Sequence, residues 1–69
     1  MKYAIVIESG ESNYSAYVPD LPGCVATGET LDEVKQEIRV AVELHLAGLR
    51  EDGEPIPQPT ILCDYVEAS

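Results

Sequence analysis

Basic residues are scarce: four Lys plus Arg stand against thirteen Asp plus Glu, a formal charge of −9 with His45 counted neutral. Phosphate binding needs a basic patch, so direct recognition of DNA or RNA is not expected. The same shortage argues against anionic membrane surfaces. A basic protein remains open as a partner, because complementary fields steer association. Long apolar runs are missing too. The longest, Tyr3 to Ile7, is strand-sized, far below the roughly 20 residues that span a bilayer. No basic start leads into an apolar region and a small-residue cleavage site, so the expected location is cytoplasmic.

Cysteine is rare as well, at two residues, Cys24 and Cys63. A pair in a chain without a secretion signal does not suggest a disulfide framework. Both lie in apolar, strand-like runs, Cys24-Val25-Ala26 and Ile61-Leu62-Cys63, and are read as buried free thiols acting as small hydrophobes. A catalytic thiolate needs a neighbouring base or a helix N-terminus, and the single His45 is far from both in sequence. C-x-x-C, H-E-x-x-H and calcium-loop patterns are absent. The acids Glu51, Asp52 and Glu54 lack the alternating oxygen ligands of a calcium loop. No catalytic residue, cofactor or metal is expected.

What the 69 residues do contain is 45% apolar side chains, normal for one small folded domain spanning 1–69. A chain this short buries only about 60% of the surface its unfolded form exposes, so further copies of itself are a reasonable source of stability. Lys2 to Glu8 reads as a strand with continuous apolar residues, hence central or covered on both faces. Ser9 to Asn13 is a loop of turn formers. Tyr14 to Val18 reads as a second strand in a hairpin with the first. Strand parity points Tyr14 and Tyr17 to opposite faces. Pro22-Gly23 suits the centre of a type II turn, and Cys24 to Thr27 forms a short third strand.

The helix is the plainest local signal. Thr30-Leu31-Asp32-Glu33 is a capping box, with Thr30 accepting from the Glu33 N–H and Glu33 reaching back. An apolar stripe follows through Leu31, Val34, Ile38, Ala41, Val42, Leu46 and Leu49, with His45 on its edge as a packing histidine. Gly53 is a candidate left-handed cap. Pro55, Pro57 and Pro59 make an extended, stiff return, and Ile61 to Val66 reads as a fourth strand. The expected fold is therefore α+β: a two-layer β-β-β-α-β domain, with one helix on a four-stranded sheet of order 3-2-1-4. One helix leaves the other sheet face uncovered, which predicts a homo-oligomer, a dimer or tetramer.

Acidic charge concentrates outside the helix. Residues 30 to 50 sum to −1 and the rest of the chain to −8. For any single acid the plain reading is a solvated surface. For the set, it is a negative face suited to a basic protein.

The stretch Tyr14-Ser15-Ala16-Tyr17-Val18-Pro19-Asp20-Leu21-Pro22-Gly23-Cys24, continued by Gly28 and Thr30, resembles the signature of the HicB antitoxin family. The segment Gly48 to Pro57 is similar to that family's helix-to-loop junction. The resemblance implies a partially ribonuclease-H-like β-β-β-α-β domain. It also implies a function: neutralising a small basic HicA-like toxin that cleaves mRNA, by masking its active site. Tyr17, Pro19, Asp20, Leu21, Pro22 and Glu29 are the candidate partner contacts. Strand one carries no central Asp, so ribonuclease-H chemistry is not implied. Family members often continue into a C-terminal DNA-binding domain. The chain stops three residues after Val66, so DNA binding by this polypeptide is not expected. The competing reading is a structural or small-ligand-binding orphan domain with no toxin partner.

Overall fold

The computed structural model describes residues 1–69. Three short strands, β1 (Val6–Ser9), β2 (Tyr14–Tyr17) and β3 (Val25–Gly28), precede one long helix, α1 (Leu31–Glu51). The strands form one antiparallel sheet of order β1-β2-β3.

Local chemistry explains most boundaries. The β1–β2 hairpin closes through a Gly10 N–H to Asn13 carbonyl bond of 2.7 Å. Between β2 and β3 the chain makes two successive turns. Leu21 N–H donates to the Val18 carbonyl at 3.0 Å, and Cys24 N–H donates to the Leu21 carbonyl at 3.0 Å. Pro22 and Gly23 occupy the centre of the second turn, and Gly23 takes φ 85°. That angle is the positive value a type II turn requires at this position. Thr30 caps the helix, its Oγ1 accepting from the Glu33 N–H at 3.0 Å. Only this half of the expected capping box is present. At the far end Asp52 is the cap and Gly53 takes φ 69°. Glu54 N–H reaches the Leu49 carbonyl at 2.9 Å, and Gly53 N–H reaches the Arg50 carbonyl at 3.1 Å. These paired bonds stop the helix in a Schellman motif.

The helix packs on β3 and β2 and not on β1. Leu21, Val34, Val18 and Ile38 are almost fully buried between the layers, joined by Ala16, Cys24 and Leu46. Ala16 pairs with Ala26 across β2–β3. Two small side chains on this face let the helix come close.

The expected fourth strand does not form. Residues 52–69 contain no strand, and Leu62, Tyr65 and Val66 are each more than 90% exposed. The order 3-2-1-4 is therefore not realised in the single chain. A strand exists only through its partner, and Ile61–Val66 does not lie along the β1 edge that composition assigned to it, which stays unpaired. The first strand is also shorter than its composition suggests, beginning at Val6 instead of Lys2.

Candidate functional site

The sheet register builds a surface feature that no single segment announces. Val6 pairs with Tyr17, and Tyr17 pairs with Val25. Directly opposed residues share a face, so the three side chains form one row across all three strands. The row lies on the face turned away from the helix. Tyr17 is 42% and Val25 64% exposed. Tyr14, by contrast, packs against the core, which resolves the two tyrosines into an inner and an outer one. Glu8, Ser15 and Thr27 form the next row on the outer face, placing a carboxylate beside the apolar strip.

The candidate contacts separate into groups. Tyr17 ends β2, with Pro19, Asp20 and Pro22 following in the turn at the same end of the sheet. Pro22 is exposed, and Pro19 and Asp20 are half-buried. Leu21 is wholly buried; its side chain anchors the turn from beneath and offers nothing to a partner's surface. Glu29 follows Gly28 at the opposite end of β3, so the fold does not bring it next to the turn.

Asp20 has a role that sequence spacing could not reveal. Its carboxylate accepts from Thr60 Oγ1 at 2.7 Å, Thr60 N–H at 3.0 Å and Ile61 N–H at 3.1 Å. These bonds join positions 40 residues apart and tie the proline-rich return to the turn. The Thr60 hydroxyl bond above all, with the Thr60 and Ile61 backbone bonds, holds the Asp20 carboxyl below its ordinary 3.8. A carboxyl depressed in the native state binds fewer protons there than in the unfolded chain. Its stabilisation is present above 3.8 and is lost as pH falls through the lower native value. The stability difference between wild type and Asp20→Ala should accordingly be constant near neutrality and shrink below pH about 4. Urea titrations of both proteins across pH 2.5–7 provide the check. A difference that does not change with pH would contradict the clamp.

The cysteines differ. Cys24 is a buried free thiol whose burial pushes its pKa up, as expected. Cys63 is free and exposed, contrary to the expectation of two buried thiols, because the run it occupies is not a strand. A thiol reagent should titrate one cysteine per native chain and two in denaturant. Two fast native thiols would show that Cys24 is not covered. His45 is half-buried on the helix. No group of three or more His, Cys, Asp or Glu side chains is arranged to hold a metal. No helix is long and apolar enough to cross a membrane.

A concavity lies on the helix side. Met1, Tyr3 and Ile5 from the segment leading into β1 face Ile38 and Val42 of α1 across a groove of about 660 Å³. Lys2, Lys35 and Arg39 line the same groove, together with Glu43. Three of the four basic residues of the chain are thus gathered at one place.

Comparison with known proteins decides the family. The family described as "HicB_like antitoxin of bacterial toxin-antitoxin system" matches residues 3–69. The chain belongs to the HicB-like antitoxin family. Among curated relatives of this HicB-like chain, an uncharacterized 14.9 kDa protein of Haemophilus phage HP1 is 36% identical over 66 residues. That alignment covers 96% of this chain and 50% of the phage protein, so the chain spans about half the length of that relative. A UPF0150 protein of Archaeoglobus fulgidus is 46% identical over 57 residues, covering 78% of this chain and 83% of its own length. In three dimensions the HicB-like fold superposes on a chain of a structure described as "HicA3 and HicB3 toxin-antitoxin complex". The TM-score is 0.74 at 28% identity, over 86% of this chain and 70% of the other. The signature read from Tyr14 to Thr30 thus marks the family it resembles.

Proposed function

We propose that this HicB-like chain neutralises a small, basic, HicA-like mRNA-cleaving toxin. It does so by laying the outer face of its sheet on the toxin and masking the active site. The Val6–Tyr17–Val25 row, with Tyr17 and Val25 exposed and Val6 half-buried, carries this reading. Tyr is among the residue types enriched in binding hot spots, and Tyr17 stands on the sheet between two aliphatic neighbours. The neighbouring Glu8 and the overall charge of −9 supply the field that would attract a basic partner and orient it. Pro19, Asp20 and Pro22 extend the contact from the Tyr17 end, with Leu21 holding the turn in shape from below. Glu29, at the other end of β3, would meet the toxin's periphery. The chain acts here as a binding module, without catalysis of its own, and works in the cytoplasm where mRNA is the toxin's substrate.

The test uses the protein encoded beside this one, if it is small and basic. Co-expression should relieve growth arrest and yield a co-purifying complex. Tyr17→Ala should raise the dissociation constant by about tenfold or more, in the range of a hot-spot truncation. Val25→Glu should do the same without changing the circular dichroism spectrum. A toxin-type neighbour that neither binds nor is silenced would defeat the proposal. Binding unaffected by either substitution would move the interface elsewhere. We propose in addition that the chain self-associates.

A further inference from the structure

Two segments have the composition of strands and no strand partner. Tyr3–Ile5 is apolar and leads into β1, yet pairing begins only at Val6. Ile61–Val66 is apolar apart from Asp64 and forms no strand pairing. We infer that these segments pair with each other between two copies of this chain, each tail adding a fourth strand along the free edge of the other copy's β1. The inference specifies the surface for the self-association proposed above.

Three observations select this arrangement. The first is room. Because α1 packs on β3 and β2 and not on β1, a groove remains between α1 and the residues before β1, with a floor of Tyr3, Ile5, Ile38 and Val42. β3, the other edge strand, has the helix packed over it. The second is charge. The groove carries Lys2, Lys35 and Arg39 against the single carboxylate of Glu43, whereas the tail carries Asp64 and Glu67 among Ile61, Leu62, Tyr65 and Val66. Along an extended strand Asp64 falls on the face of Leu62 and Val66, and Glu67 on the face of Ile61 and Tyr65. Whichever face turns inward brings apolar side chains with one carboxylate, a match for an apolar floor with a cationic rim.

The third is direction. Asp20 holds Thr60 and Ile61 of its own chain at the β2–β3 turn, and residues beyond leave the body from there. The radius of gyration is 13.4 Å, against about 11 Å for a compact chain of this length. An apolar tail projecting from its own domain and a vacant sheet edge are the two halves of a strand exchange. The added strand would lie beside β1, giving each sheet the order 3-2-1-4 that composition calls for, supplied in trans.

Charge reversal separates the possibilities. Lys35→Glu/Arg39→Glu gives an acidic tail with an acidic groove, and Asp64→Lys/Glu67→Lys gives a basic tail with a basic groove. Wild type should size as a dimer of the 7.5 kDa chain. Each double variant alone should show a dissociation constant raised by about tenfold or more. Mixed in equal amounts, the two should recover a heterodimer, since every tail then meets a groove of opposite sign. Recovery on mixing excludes a tail that folds back onto its own edge, where each variant would remain mismatched. Wild type still monomeric at about 100 μM, and so with a dissociation constant weaker than that level, would overturn both the tail placement and the self-association. A wild-type dimer that neither variant weakens would overturn the tail placement alone. Weakened variants that do not recover on mixing would also overturn it. Toxin binding, measured on the same variants, is a separate reading and is expected to persist.

Discussion

Leu21→Ala should remove a large share of the protein's stability. Leu21 is fully buried although it sits in a five-residue turn, Pro19 to Gly23. Removing a buried Leu side chain costs about 2–5 kcal/mol, through lost burial and the cavity left behind. A chain of this length has only about 3–10 kcal/mol of stability in total. The turn cannot collapse to fill the space, because its backbone is fixed by bonds at Val18 and Cys24 and by proline on either side of Leu21. Urea unfolding followed by circular dichroism is the measurement, with Leu62→Ala as the comparison. Leu62 is 95% exposed, and its loss should change monomer stability by no more than about 0.5 kcal/mol. A Leu21→Ala protein within 1 kcal/mol of wild type, on the scale of an ordinary surface change, would mean that the turn is not part of the core. For interface mapping, loss of binding in this variant would report unfolding and not contact.

Gly28→Ala should be nearly as damaging, for the opposite reason. A Cβ at Gly28 would lie 2.6 Å from Val34 N and 2.9 Å from Val34 Cα. Both are backbone atoms within the first turns of α1, so no rotamer change relieves the clash. The helix start would have to lift off β3, opening the tightest packed part of the molecule around Val34. Overpacking of this kind costs about 1–3 kcal/mol or more. Gly48→Ala gives the control of opposite sign. Gly48 lies inside α1 with open space where its Cβ would go, so alanine should stabilise by about 0.5–1 kcal/mol. If both substitutions shift the urea midpoint in the same direction, the close approach at Gly28 is not the governing factor.

How far the sequence discloses this molecule depends on the range over which each feature is determined. The helix was legible because Thr30, the Leu31–Leu49 stripe and Gly53 act within a turn or two of themselves. The Pro22-Gly23 turn was legible because a positive φ has few residue types that tolerate it. The fourth strand was not, since an apolar run states only that burial is wanted and not which edge will supply it. Cys63 is exposed for the same reason. Parity divided Tyr14 from Tyr17 but could not tell which would face the helix, as that depends on where α1 docks. The Val6–Tyr17–Val25 row rests on the register of two hairpins, and the Asp20 clamp spans 40 residues. Neither has a local signature. Of the candidate contacts, the turn was found from its motif, while the burial of Leu21 and the distance of Glu29 from the turn needed three dimensions.

The pairing of Ala16 with Ala26 beneath the helix has a bearing on how the sheet assembles. A slip of one residue in β2 and β3 would exchange the two faces, carrying Tyr17 and Val25 under α1 where the alanines now allow close approach. The helix could then no longer seat on the sheet, and Val34 and Ile38 would lose their cover. Close seating of the helix is therefore compatible with one alignment of the hairpins, the one that turns the alanines inward.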